Sequence, residues 1–164
     1  MTINIAKRFL LGSLVLFILI LANGCTVVNK TAGIDRSKFV GTWTLNNIGY
    51  QNLIGNAVTK VFDQAPPADF IGSTWILTNS GNGQYTLANG TSQSIYWSYY
   101  NPGNGVETAF QFKKIYQGDK VKNVDSGYRL NISSNDGTTM VLKTPIAIGN
   151  DNGYVVYTFT KKSN

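Results

Sequence analysis

Eight short segments of this chain alternate apolar and polar residues with a period of two, and turn-forming residues cut most of them apart. That pattern constrains the fold more than any other feature. A period of two puts one set of side chains on each face of a strand. Phe39 to Tyr50 sets Trp43 and Leu45 against Thr42 and Thr44. Ser73 to Thr78 offers Trp75 and Leu77, and Gln84 to Ala88 offers Tyr85 and Leu87. Ser94 to Tyr100 alternates Ile95, Trp97 and Tyr99 with Tyr96, Ser98 and Tyr100. Thr108 to Ile115 offers Phe110 and Phe112, and Gly127 to Ser133 offers Tyr128, Leu130 and Ile132. Thr138 to Ile148 offers Met140 and Leu142, with Pro145 confining it to an edge, bulge or strand end. Tyr154 to Lys161 offers Val155, Tyr157 and Phe159. Between them stand Ser80-Gly81-Asn82-Gly83, Asn89-Gly90, Asn101-Pro102-Gly103-Asn104-Gly105, a charged loop over 117–126, Asn135-Asp136-Gly137 and Gly149 to Gly153. Such spacing predicts an all-β sandwich or barrel. Eight strands in hairpin order, an even count with inward residues on nearly every strand, favour a closed up-and-down antiparallel barrel, which leaves no exposed edge.

One stretch breaks the pattern. Ala57, Val58, Val61, Phe62 and Ala65 recur at helical spacing, Asn56 suits an N-cap, and Pro66-Pro67 stops the turn. Pro67 also suits the start of a second short turn through Phe70-Ile71, closed by Gly72. One or two short helices are therefore expected between the first two strands.

Function classes are narrowed chiefly by what is missing. The chain has no histidine, which removes Ser-His-Asp and Cys-His nucleophile systems, His-bearing zinc sites and the commonest general base. Asp63, Asp69 and Glu107 are carboxylates expected near a barrel mouth, but their spacing suggests no paired acid and base. Asp136 and Asp151 lack the alternating acidic series of a calcium loop and read as turn residues. No enzyme, metal or cofactor is expected. The net charge of +6 falls to +4, 12 basic against 8 acidic residues, once Lys7 and Arg8 are set aside. These charges are scattered, so no nucleic-acid surface is expected. The Asn-x-Ser/Thr triplets at Asn29, Asn89 and Asn131 read as turn and strand composition.

Residues 1–24 have the form of an export signal: Lys7-Arg8, an apolar run from Phe9 to Ala22, then Asn23-Gly24. The single cysteine, Cys25, follows at once. Leu21-Ala22-Asn23-Gly24-Cys25 resembles the bacterial lipobox, with Ala22 where Leu is usual. The resemblance implies cleavage before Cys25 and acylation of its thiol and new amino group. The implied acyl chains would anchor the protein stably in a membrane. Residues 25–37 then read as the lipidated cysteine and a polar tether, and 38–164 as the barrel domain. The expected address is the bacterial cell envelope, lipid-anchored, on the outer membrane facing the periplasm.

Gly41-Thr42-Trp43, heading the first of eight strands, resembles the Gly-x-Trp signature of lipocalins. In that family the Trp closes the narrow end of the barrel beside a basic residue from the last strand. Lys161 or Lys162 would take that place, and Gly41 and Trp43 would form a structural plug. A wider resemblance runs through Phe70 to Leu77, Gly83 to Leu87, Gly127 to Leu130 and Tyr157-Thr158-Phe159. It is to lipocalin-like lipoproteins of Bacteroidetes, where a Cys often stands at the position of Asp69. It implies fold and anchoring more than ligand.

Two uses of the barrel are open at this stage. Trp75, Tyr85, Trp97, Tyr99, Phe110, Phe112, Tyr128, Leu130, Tyr157 and Phe159 would line a cavity for a small apolar or amphipathic ligand, or fill a dry core. In the second case the protein would act through its surface on a protein or glycan partner, with Tyr96, Tyr100 and Tyr116 as candidate contacts. A ligand would enter opposite Trp43, under the stretch from Asn56 to Ile71. Oligomeric state is not indicated.

Overall fold

The computed structural model describes residues 33–54, 57–121 and 126–163. The export segment 1–24, Cys25, the tether up to residue 32 and the expected N-cap Asn56 lie outside them. Eight antiparallel strands close into an up-and-down barrel, each hydrogen-bonded to the next and the last to the first. They are β1 (Gly41–Gln51), β2 (Thr74–Leu77), β3 (Asn82–Thr86), β4 (Ser92–Tyr100), β5 (Ala109–Lys114), β6 (Tyr128–Asn135), β7 (Thr139–Ile148) and β8 (Asp151–Lys161). Closure runs through β1 and β8, from Trp43 opposite Lys161 to Gln51 opposite Tyr154, with an irregularity between Leu45 and Asn47. No strand edge is left to pair with another chain in this wall.

The inward set follows the sequence alternation. Trp43, Leu45, Trp75, Leu77, Tyr85, Ile95, Trp97, Phe110, Phe112, Leu130, Ile132, Met140, Leu142, Val155, Tyr157 and Phe159 are all buried. Pro145, expected to limit its strand, sits within β7 opposite Tyr154, near the end of that strand.

The connection between β1 and β2 departs from expectation in its first half. Ala57 closes a 3₁₀-type turn on Ile54, and Val58 to Ala65 forms no helix. Val61 and Ala65 instead pair as an isolated antiparallel bridge across a tight turn, with Gln64 N–H donating to the Val61 carbonyl at 3.1 Å. Spacing by four places two residues on one side of a helix, and here the same spacing sets them face to face across a turn. Ala65 precedes Pro66, and the residue before a proline is disfavoured in the α region. The second half is as expected. Pro67–Phe70 is a single helical turn, α1, with Pro at its start. Gly72 follows at φ +85°, where a glycine is at ease.

The polar stretch read as a tether is ordered at its end. Arg36–Phe39 is a 3₁₀ turn capped by the Asp35 carboxylate, which accepts from Ser37 N–H at 2.7 Å. Ile34 and Phe39 are buried. Two apolar side chains ahead of β1 thus enter the core.

Candidate functional site

The two ends of the barrel are built differently. At the end where β1 begins, Trp43 is fully buried and its indole Nε1–H donates to the Phe39 carbonyl at 2.8 Å. Phe39 covers that end, with its ring 5.6–6.1 Å from those of Trp97, Tyr99 and Phe110. Lys161 Nζ lies 5.3 Å from the centre of a Trp43 ring, a cation–π contact. Lys162 instead donates to the Thr74 hydroxyl at 3.1 Å. Gly41 has φ +137°, and a Cβ there would come within 2.4 Å of Lys161 Cε. A side chain at position 41 would push the lysine off the indole. This end is closed.

The opposite end is where β1 finishes and where β2, β4, β6 and β8 begin. There the turn from Val61 to Ala65 drives Phe62 into the barrel. Its ring lies 4.9 Å from that of Phe112, 5.2 Å from those of Tyr128 and Tyr157, and within 6 Å of Phe70 and Trp75. Two wall hydroxyls hold the turn. Tyr128 donates to the Phe62 carbonyl at 2.8 Å and to Asp63 Oδ2 at 3.0 Å, and Tyr85 donates to Gln64 Oε1. Burial, aided by the Asp63 carboxylate, pushes the Tyr128 phenol up to about 12. Burial likewise pushes Tyr157 up to about 12 and raises Tyr85. All three therefore stay neutral near pH 7 and can act as donors. The turn itself is strained. Phe62 and Asp63 take φ +50° and +48°, a left-handed geometry that costs about 1–2 kcal/mol for a bulky residue such as Phe62 and less for an aspartate.

Against this turn lies a cavity of about 300 Å³. Val58, Val61, Phe62, Ile146, Val155 and Tyr157 give it a mainly apolar lining, and Lys60, Asp63, Arg129 and Thr144 border it as well. A second, more polar cavity of about 540 Å³ adjoins it across Asp63 and Tyr128, and carries Lys113, Lys114, Lys120 and Tyr116. Lys114 Nζ sits 5.7 Å from the Tyr128 ring centre, and burial lowers the pKa of its ammonium group. A mainly apolar recess and a polar, lysine-bearing cavity that also carries Asp119 thus share Asp63, Gly127 and Tyr128.

The expected lining residues divide accordingly. Tyr128 and Tyr157 border the apolar recess, and Tyr99 borders a different cavity at the closed end. Trp75, Tyr85, Trp97, Phe110, Phe112, Leu130 and Phe159 border none of these cavities and are buried. Their rings meet one another: Trp75 stacks on Tyr85 at 4.6 Å, Trp97 on Phe110 at 5.8 Å, and Phe159 meets Trp75 at 5.7 Å. In this structure they pack against one another inside the barrel. Phe62, which the alternation rule could not place, is the side chain that fills the mouth.

The three carboxylates do not converge. Asp63 and Asp69 lie at the open end, whereas Glu107 precedes β5 at the closed end and accepts from Asn131 Nδ2 at 3.0 Å. Asp136 holds the turn between β6 and β7, accepting from Thr138 N–H, Thr139 N–H and the Thr138 hydroxyl. Of the outer tyrosines, Tyr96 and Tyr100 stand on one face of β4, with the Arg129 guanidinium 4.0 Å from the Tyr100 ring centre. Tyr116 lies beyond β5 at the open end and is 60% exposed. Compared with family models, curated proteins and solved structures, the chain matches none of them.

Proposed function

We propose that this chain is a membrane-anchored, lipocalin-like lipoprotein of the bacterial envelope that holds a small apolar or amphipathic ligand at the open end of its barrel. The observation that carries this reading is the apolar recess beside Phe62, opening next to the lysine-bearing cavity across Tyr128. That pairing suits a molecule with one apolar and one polar end. The Leu21-to-Cys25 lipobox resemblance supplies the anchor, on the outer membrane facing the periplasm. Ile34 joins the barrel at its closed end, where Tyr99 donates to its carbonyl at 3.1 Å. A tether from Cys25 would hold that end toward the bilayer and leave the open mouth facing away.

The binding test uses the mature chain from residue 25 with Cys25→Ser, incubated with a panel of fatty acids, fatty alcohols and apolar dyes and examined by native mass spectrometry. A one-to-one adduct weakened by Ile146→Glu supports the reading, and no adduct across the panel refutes it. For the anchor, labelling with a palmitate analogue should mark the intact protein and be lost in Cys25→Ser. Labelling that persists in that variant would place the lipid elsewhere.

A second reading is favoured by the ring-filled interior. In it the barrel is a rigid display scaffold that meets a protein or glycan through the outer face of Tyr96 and Tyr100. Crosslinking in cells from position 96 should then trap one defined partner, and diffuse labelling would count against it.

A further inference from the structure

The ring at the centre of the open end belongs to no strand of the wall. Phe70, Trp75, Phe112, Tyr128 and Tyr157 surround it, four of them edge-on or nearly so and Tyr157 stacked, at centroid distances of 4.9–5.9 Å. We propose that this five-ring cage is the barrel's ligand site, that Phe62 is its resident occupant, and that a small neutral aromatic molecule takes the place of that ring when the turn Val61–Ala65 swings outward. The proposal rests on the binding reading above and adds the ligand's chemistry and the group it displaces.

Three observations carry it. First, the occupant is delivered by a strained backbone. A core phenylalanine on a wall strand would need no left-handed residue, yet here two successive residues with side chains, Phe62 and Asp63, adopt φ near +50°. Phe62, a bulky residue, is a true outlier there, whereas Asp is more readily accommodated, and such outliers concentrate at switches and ligand clamps. Outward movement relieves this strain. Second, the bonds that fasten the turn are of a kind a ligand can replace. The phenol hydroxyls of Tyr85 and Tyr128 donate to Gln64 Oε1 and to the Phe62 carbonyl. A hydroxyl or carbonyl on the incoming molecule would offer the same acceptor. Third, an approach already exists. The 300 Å³ recess has the outer side of the turn as one wall and two members of the cage, Tyr128 and Tyr157, in the other.

The walls fix the chemical class. Ring faces and edges are complementary to another ring, which they bind in offset or edge-on geometry. No charged side chain is among the five, and burial keeps the nearby phenols neutral. A charged group placed among these five rings would lose its water, whereas Lys60, Asp63 and Arg129 line the adjoining recess and suit a polar substituent there. The space of one phenyl ring together with the recess fits a bicyclic molecule bearing one hydrogen-bonding substituent.

The test uses 2-naphthol as probe, with decanoate as an apolar molecule lacking a ring. Affinity is measured by calorimetry on the mature chain with Cys25→Ser, and opening of the turn by hydrogen exchange at Val61 and Gln64, whose amides bond across it. Expected results are binding of 2-naphthol with faster exchange at both amides. Phe62→Ala should bind it about tenfold more tightly or better, since a competing occupant lowers apparent affinity by the fraction of time the site is free. Phe62→Leu, a milder change, should move affinity in the same direction. Binding with unchanged exchange at Val61 and Gln64 would overturn the displacement while leaving a ligand at the mouth. Binding to Phe62→Ala alone would show a permanent core residue and also overturn it. If neither probe binds the parent or either variant, the displacement and the binding reading fall together.

Discussion

Replacing Trp43 with alanine tests how the closed end is held, and the cost can be worked from its contacts. The side chain is fully buried, and truncating a buried Phe or Trp to Ala costs about 3–5 kcal/mol in lost burial and cavity. The Nε1–H donor to the Phe39 carbonyl goes with it, adding about 1 kcal/mol. The Lys161 contact is partly exposed and adds less than about 1 kcal/mol. These parts share neighbours and do not sum cleanly, which gives about 4–6 kcal/mol in all. A domain of roughly 130 residues has an unfolding entropy near 0.27 kcal/mol/K at its midpoint, so the melting temperature should fall by about 15–22 °C. Near-ultraviolet circular dichroism follows the transition, with urea unfolding as the isothermal check. Trp43→Phe keeps a ring and loses the donor, so it should fall between parent and alanine, and Lys161→Met should move the midpoint by only a few degrees. A drop below about 5 °C for Trp43→Ala would refute the assignment of closure to the indole. It would shift that role to Phe39 and the 3₁₀ turn alone.

Four further outcomes are expected. Tyr128 and Tyr157 keep their protons in the fold to about pH 12, while in the unfolded chain they ionise near 10, so stability should be flat below pH 10 and fall between about 10 and 12. Thermal melts across that range check this, and Tyr157→Phe should flatten the slope. Asp136 shows the opposite sign: three hydrogen bonds hold its carboxyl near 2, against an ordinary value of 3.8, so stability should be full above about pH 4 and fall as pH drops through 2. Asp136→Asn should remove that acid slope. Gly127→Ala should cost about 1–3 kcal/mol, because its φ is +138° and a Cβ would come within 2.4 Å of the Phe112 carbonyl. Gly137→Ala, at φ +95° with no atom within 4 Å of its Cβ, should cost less in the same urea titration.

The wall was legible in the sequence because a strand buries alternate side chains, and that rule involves only neighbours in the chain. It placed Trp75, Trp97, Phe112 and Phe159 inward and ordered the eight strands, with ends displaced by a few residues. The count of strands and the turn residues together implied closure. What the rule could not show was how a small barrel spends its interior. Whether ten inward aromatic and aliphatic residues leave a cavity depends on side chains supplied from outside the wall. Phe39 arrives from a 3₁₀ turn and Phe62 from a two-armed turn, and neither has a period to announce it. The stretch 57–65 misled for a physical reason. Val61 and Ala65 are four apart, a separation that serves a helix face and a turn equally, and tertiary burial of Phe62 selected the turn. The signal available in advance was Pro66, which disfavours the α region at Ala65.

Phe39 and Phe62 seal opposite ends of one barrel, and their supports differ in a way that bears on function. Phe39 follows an Asp35-capped turn, its carbonyl is fixed by Trp43, and Val40 after it has an ordinary extended backbone at φ −66°. Phe62 has a left-handed backbone, one isolated bridge and two phenol hydroxyls to hold it. Both rings are buried to a similar degree, at 0% and 7% exposure, so burial alone does not distinguish them. The difference lies in what is released on opening. Moving Phe39 breaks contacts and gains no relief of strain, whereas moving Phe62 recovers the cost of its own left-handed backbone. Local opening is easiest where few backbone bonds and little net free energy oppose it. The open end should therefore exchange its amides well before the closed end does. That ordering puts any gate at the Phe62 end of the barrel, beside the recess that Tyr128 and Tyr157 border.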